Sequence, residues 1–281
     1  MDKEGARSKK EQLLSYLEKL DSLVVAFSGG VDSAFLLSAA REALGNNVVA
    51  ATASSPLHPL REQHAAVRFA EERNIHLVLF QTNEIEIQEV IANGIDRCYH
   101  CKHALSEKLV QIAGERGIHH VAHGANMDDM EDYRPGLKAA EEAGIIAPLI
   151  DVHLTKGEIR FLAKEMGLPQ WDKPSMACLA TRFPYGRVIT EKGLKMIEAA
   201  EEFLSDEGFL SVRVRHHGPV ARIEVIPSEL SKMVTDDTRK AIVTKFRRIG
   251  FHHVSLDLEG YISGKMNRGI ETEHPHINGA L

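Results

Sequence analysis

The chain has 281 residues, 43% hydrophobic and 26% charged, the composition of a globular protein of one or two domains rather than a disordered or fibrous one. Its 34 Lys and Arg against 40 Asp and Glu leave a net charge of −6, which excludes a uniformly basic coat for nucleic acid but not a local basic groove. Three cysteines, Cys98, Cys101 and Cys178, are too few and too unevenly spaced for a secreted disulfide scaffold. Apolar runs such as Val48–Ala53 fall far short of the ~20 residues of a spanning helix, and the charged Met1–Glu11 does not read as a signal peptide. The expected setting is a reducing cytoplasm.

In chain order, residues 11–20 carry leucines at helical spacing, and Leu23–Phe27 reads as a buried strand. A Ser28-Gly29-Gly30 turn then opens a helix from about Asp32 to Leu44. Residues 47–53, 75–81 and 119–123 read as further strands, with helices over 60–73 and 103–116 between them. Strands alternating with helices predict an α/β fold with a parallel sheet covered on both faces. Thr155 with Glu158 three residues on forms a capping-box pattern heading a helix over 155–166. After a loop over 168–187 the pattern changes to helix 191–205, strands 212–215 and 220–226, helix 228–247 and strand 253–258. That is a small α+β unit with an antiparallel pair. The expected domains are residues 1–175, 176–270 and a flexible tail, 271–281. Trp171 is expected to pack at the junction.

The strongest local signal is VVAFSGGVDS, Val24–Ser33. A buried strand runs into two glycines, whose missing Cβ atoms let backbone N–H groups converge on an anion, and the following helix N-terminus adds partial positive charge. Ser28 and Ser33 can donate to phosphate oxygens. Asp32 suits such a loop if it binds a metal ion or organises the turn. The segment lacks the GK[ST] of a Walker loop and is not GxGxxG. It resembles the PP-loop of ATP pyrophosphatases, which implies that ATP and Mg²⁺ bind here and that ATP adenylates a substrate oxygen with release of pyrophosphate. The same resemblance assigns nucleotide contacts to Ala26, Ser28, Gly29, Gly30, Asp32 and Ser33. Ala53 and Ser54, after the second strand, are the expected seat of adenine and ribose. Gly124 and Asp128 follow a strand end at the sheet edge where such folds bind ligands, and Asp128 or Asp129 could help hold Mg²⁺.

Cys98 and Cys101, three apart near a helix start, can aim both sulfurs at one point. With Cys178 they supply three thiolates, enough for a [4Fe–4S] cluster with one open iron. His100 or His103 could instead complete a Cys₃His zinc site, and a redox pair is a further reading.

DYRPG at Asp132–Gly136, TRFPYG at Thr181–Gly186, VRVRHHGPVARIE and YISGKMN join SGGVDS in a pattern spread over the chain. Together they resemble the LarE family of ATP-dependent sulfur transferases. The resemblance implies adenylation of a pyridinium-dicarboxylate mononucleotide, then displacement of AMP by sulfur to give a thiocarboxylate. It makes Cys178, Arg182 and Glu201 candidate catalytic residues, and implies a homo-oligomer. In single-cysteine members the cysteine matching Cys178 sacrifices its own sulfur. Cys98 and Cys101 depart from that pattern and favour a cluster-borne sulfur, whose ultimate donor stays open. Arg213 and Arg215 alternate with valines and project from one strand face, a fit to a substrate phosphate or carboxylate. Pairing with Glu224 across the hairpin is the competing reading. For Glu201 the competitor is a surface salt bridge. The His pairs at 119–120, 216–217 and 252–253 read as bystanders.

Three other functions compete. A cluster-dependent tRNA thiolase fits the cysteines but not the acidic balance or the lack of an appended RNA-binding domain. A non-catalytic nucleotide or iron–sulfur binding module would leave ATP uncleaved. An ammonia-using amide synthetase would leave the cysteines without a role.

Overall fold

A computed structural model describes residues 2–131, 135–174, 177–262, 264, 265 and 268. By packing, the chain divides into two compact units: residues 1–90 with 96–176, and residues 91–95 with 177–281.

The first unit runs α1 (Lys3–Leu17), β1 (Leu23–Ala26), α2 (Val31–Leu44), β2 (Val48–Ser54), α3 (Leu60–Glu72) and β3 (His76–Gln81). The short α4 (Gln88–Ile91) leads into the segment given to the second unit. The first unit resumes with α5 (Arg97–Gly114), β4 (Val121–Ala122), α6 (Pro135–Glu142), α7 (Pro148–Asp151) and α8 (Lys156–Glu165). Among the described residues the strands form one parallel sheet in the order β3-β2-β1-β4. β1 and the first five residues of β2 are buried or nearly so on both faces and read as apolar runs, whereas the edge strand β3 is largely open to solvent. Leu23 and Val25 of β1 enter one core with α1, α2 and α8, while Val24 points to the opposite core with Leu109, Ile112 and Ala113 of α5. α2 is buried along most of its length, which explains its run of Ala, Leu and Phe.

The second unit contains α9 (Glu191–Asp206), β5 (Arg213–His217), β6 (Val220–Glu224), α10 (Leu230–Met233), α11 (Asp236–Ile249) and β7 (His253–Leu256). β5 and β6 are antiparallel as expected, and β7 joins β6 in parallel. Residues 91–95 belong to this unit because they are tied to its loop. Asn93 donates through Nδ2 to the Pro184 carbonyl at 2.8 Å, and its own carbonyl accepts from Gly186 N–H at 3.0 Å.

Three helix boundaries differ from the sequence reading. α1 starts at Lys3, capped by Asp2, because its charged first turns find partners: Arg7 reaches Glu165 and Lys9 reaches Glu158. α5 starts at Arg97, so Cys98 and Cys101 lie in its first turns instead of preceding it. The helix expected over 228–247 breaks at Val234–Thr235, where the extended Thr235 heads α11 with Asp236 and Asp237 in its first turn.

The predicted capping box is present. Thr155 Oγ1 accepts from Glu158 N–H, and Glu158 Oε2 accepts from Thr155 N–H at 2.9 Å. Replacing Thr155 by Ala is expected to lower stability by about 1 kcal/mol, read from the denaturant midpoint.

Candidate functional site

The first unit carries the loop between β1 and α2. Gly29 adopts φ +75°, a conformation that a Cβ would strain, and α2 opens at Gly30 with no side-chain cap. Ser33 Oγ donates to the Gly30 carbonyl at 3.2 Å, accepts from Ser28 N–H at 3.3 Å, and lies 3.1 Å from Ser28 Oγ. The two serines therefore brace the turn that the sequence assigned to phosphate. Gly124 lies directly over the start of α2: a Cβ there would come within 2.8 Å of Ser33 N. Its missing side chain is a condition of the close approach. Ala26 pairs with Ala51 within the sheet, and Ala53 and Ser54 close β2 at the same C-terminal edge. Ser54 Oγ donates to Gln63 Oε1 at 3.2 Å.

Asp32 is paired with Lys156, a residue that sequence reasoning missed because 124 positions separate the two. The other Asp32 oxygen, Oδ1, is buried with no hydrogen-bond partner. Burial pushes the Asp32 carboxyl up; Lys156 opposes this and the nearby Asp129 adds to it. Asp128 Oδ1 accepts from the Lys156 backbone N–H at 3.1 Å, and Asp129 Oδ2 accepts from Asn126 N–H at 3.0 Å. A second lysine, Lys173, was also missed. Its ammonium pairs with Glu62 and donates to the Gly29 carbonyl at 3.3 Å. Asp32, Asp128 and Asp129 are oxygen donors of the kind that suits Mg²⁺.

At the same edge His123 is partly buried, and its pKa is lowered to about 4, first by burial and then by the charge of Lys102. Ala125 N–H donates to its Nδ1 at 3.3 Å, as a neutral ring allows. Between its unfolded value near 6.5 and about 4, the folded chain binds fewer protons than the unfolded one. Stability is therefore expected to fall as pH drops through that window, by on the order of 3 kcal/mol in total. His123→Asn should flatten that slope in urea titrations run between pH 7 and about 4.

The second unit holds Cys178 at the entrance to a 3₁₀ turn, Leu179–Arg182. Arg182 is fully buried and lies beneath this loop. Its Nε and Nη2 donate to Glu201 Oε1 and Oε2 at 2.8 and 2.9 Å, a bidentate pair. Nη1 donates to the carbonyls of Ala177 and Cys178, at 3.0 and 3.2 Å, and to Thr181 Oγ1 at 2.8 Å. Burial lowers the Arg182 pKa, but Glu201 outweighs it and the net direction is up. Glu201 is only 5% exposed, so its ion pair is an interior one and the surface alternative is corrected. Its Oε1 also accepts from Val214 N–H at 2.8 Å, joining α9 to β5.

Arg215 takes the cross-hairpin carboxylate, Glu224, at 2.6 Å and donates to the Thr181 carbonyl at 2.9 Å. Arg222 reaches the other Glu224 oxygen at 3.1 Å. Arg213 stacks over Tyr261 with 5.0 Å to the ring centroid. Burial and then the Arg182 charge draw its pKa down, the signature of cations crowded together. His216 is no bystander in packing, since it stacks on Phe183 at 4.9 Å.

Cys98, Cys101 and Cys178 form no disulfide, Cys98 being exposed and the others partly buried. Cys98 and Cys101 stand three apart on α5 and so share a helix face. Arg97 donates to Cys98 Sγ at 3.6 Å. Among the described residues no three His, Cys, Asp or Glu side chains are grouped to hold a metal ion. Asp132–Arg134 of DYRPG, Ser175 and Met176 beside Cys178, Ser263, Met266 and Asn267 of YISGKMN, and the tail 271–281 lie outside the described residues. Among the described residues no helix is long and apolar enough to cross a membrane.

A Ser-Gly-Gly-x-Asp-Ser loop joining β1 to α2 at the C-terminal edge of a parallel sheet defines the domain as a PP-loop ATP pyrophosphatase. No family model matches the chain. An uncharacterised protein of Synechocystis is 42% identical over 93% of this chain and 97% of its own length. The pyridinium-3,5-bisthiocarboxylic acid mononucleotide synthase of Lactiplantibacillus plantarum is 36% identical over 92% of this chain and 94% of its own. More remotely, argininosuccinate synthase of Pyrococcus furiosus is 28% identical over 54% of this chain and 40% of its own. The chain belongs to the LarE family of PP-loop ATP-dependent sulfurtransferases.

Arg182→Met would leave Glu201 buried without its cation and release the carbonyls around Cys178. It is expected to destabilise the second unit by about 3–5 kcal/mol, measured by thermal or denaturant unfolding.

Proposed function

We propose that this chain inserts sulfur into a pyridinium-dicarboxylate mononucleotide, in a reaction that takes two displacements. A substrate carboxylate oxygen attacks the α-phosphorus of ATP, pyrophosphate departs, and an acyl adenylate remains. Sulfur then attacks the acyl carbon and AMP departs, leaving a thiocarboxylate. The observation that carries this reading is the braced phosphate loop, Ser28–Ser33, in a chain that shares most of its length with a synthase of that product class.

The residues have separable parts. Ser28, Gly29, Gly30 and Ser33 cradle the departing pyrophosphate, with the start of α2 supplying partial positive charge. Ala26, Ala53, Ser54 and Gly124 border the nucleotide at the sheet edge, while Asp32 and Asp128 face the Mg²⁺ that ATP brings. Arg182 and Glu201 act by positioning: their buried bidentate pair sets the backbone on which Cys178 is presented. Arg213 and Arg215 receive the anionic groups of the mononucleotide. Arg182, Arg213 and Arg215 are buried in this unit together with Glu201 and Glu224.

For the sulfur, Cys98, Cys101 and Cys178 carry the ligand type of a [4Fe–4S] cluster, with zinc as the alternative metal. Such a cluster, when bound, would supply a replaceable sulfide at its unliganded iron and spare the protein's own sulfur. This reading takes the enzyme to be a cytoplasmic homo-oligomer with a small-molecule substrate and no nucleic-acid partner.

Anaerobically purified and reconstituted protein, given ATP, Mg²⁺ and the dicarboxylate mononucleotide, should release pyrophosphate and AMP and add sulfur to the substrate by mass. Cys178→Ser should abolish that gain. ATP cleavage with no thiolated product would overturn the proposal. An iron-free protein in which Cys178 becomes dehydroalanine would replace the cluster with the sacrificial route.

A further inference from the structure

Two lysines that no motif marks converge on the phosphate loop from distant parts of the first unit. Lys156 comes from the first turn of α8 and pairs with Asp32. Lys173 comes from the segment after α8 and bridges Glu62 to the Gly29 carbonyl. Their side chains are 25% and 24% exposed, against 21% and 15% for their carboxylate partners, so both pairs lie at the rim of the loop and not in the core. Pairs so placed are neither fully solvated nor enclosed. They neutralise four charges beside a loop shaped for a polyanion.

We propose that Lys156 and Lys173 are polyphosphate-binding residues held in reserve on Asp32 and Glu62, and that their transfer to incoming ATP frees Asp32 for a divalent cation. This rests on the reading of the loop as an ATP site. A triphosphate brings about four negative charges and strong acceptor oxygens, and for an ammonium group it outcompetes a single carboxylate. The lysines are already at the place where those oxygens arrive, because Lys173 touches Gly29 and Asp32 lies two residues beyond Gly30. The carboxylates left behind make the second half of the exchange necessary. Asp32 already has one buried oxygen without a partner and has Asp129 close by. Once Lys156 leaves, these negative charges lie next to the triphosphate, and a divalent cation offsets that repulsion. The demand for the metal is then created by the exchange itself.

The test is calorimetric binding of α,β-methylene-ATP and of adenosine to the full chain, each with Mg²⁺ and with EDTA. Lys156→Met and Lys173→Met should each weaken the triphosphate analogue by about tenfold or more in Mg²⁺, the value of a charged hydrogen bond. Adenosine affinity should stay within about twofold of the wild-type value, and Lys156→Arg and Lys173→Arg should recover most of the loss. Asp32→Asn should lose the Mg²⁺-dependent gain in analogue affinity while keeping affinity in EDTA. Unchanged analogue affinity in either methionine variant overturns the proposal, as does an equal loss for adenosine, which would mark the lysines as structural. A retained Mg²⁺ gain in Asp32→Asn overturns the second half. Wild-type protein that binds adenosine but not the analogue would instead remove the ATP reading on which the inference rests.

Discussion

A side chain at position 124 would bring its first carbon within 2.8 Å of the amide nitrogen of Ser33, and the phosphate loop depends on that space being empty. An anion held by backbone amides must lie within hydrogen-bond reach of them, so neither the loop nor the strand ends around it can carry bulk. Gly29, Gly30 and Gly124 meet that condition from two separate strand ends. The parallel sheet does the rest, since it brings the ends of β1, β2 and β4 to one edge in a fixed register. The apolar runs of β1 and β2 and the almost wholly buried α2 serve that rigidity.

Charge is managed differently in the two units. At the loop, Asp32 and Glu62 have lysine partners whose side chains keep about a quarter of their surface open to solvent. Beneath Cys178, Arg182 and Glu201 are enclosed, and each of the three guanidinium nitrogens donates to a carboxylate, a carbonyl or a hydroxyl. Enclosed pairs add little net stability, but breaking one exposes an uncompensated charge, and so they hold geometry. The first arrangement suits a site that must accept and release a polyanion. The second suits a loop whose backbone is held in one place.

Much of this was legible in the chain. The alternation of strands and helices predicted the parallel sheet, and the strand-turn-helix order around SGGVDS the position of the loop, because apolar runs and glycines act within a few residues. The capping box at Thr155 was visible for the same reason, as two side chains and two amides of adjacent turns suffice to make it. Boundaries were less so. α1 and α5 each begin earlier than their apolar spacing suggested, since their first turns are polar: those of α1 are steadied by partners far along the chain, and those of α5 begin in the Cys98–Cys101 segment. The break at Val234–Thr235 carries no glycine or proline, and its one mark is the helix-start pattern Thr235-Asp236-Asp237.

The sequence alone therefore determined the candidates for the chemistry: the glycines and serines of the loop, the three cysteines and the arginines of one strand face. These follow from residue type and local spacing. Tertiary structure decided what each charge is doing. It turned Arg182 inward onto Glu201, gave Arg215 rather than Arg213 the Glu224 carboxylate, and brought Lys156 and Lys173 to the loop across 124 and 144 positions of chain. Ion pairs depend on separation in space, and a linear pattern has no record of which distant residues the folded core brings together.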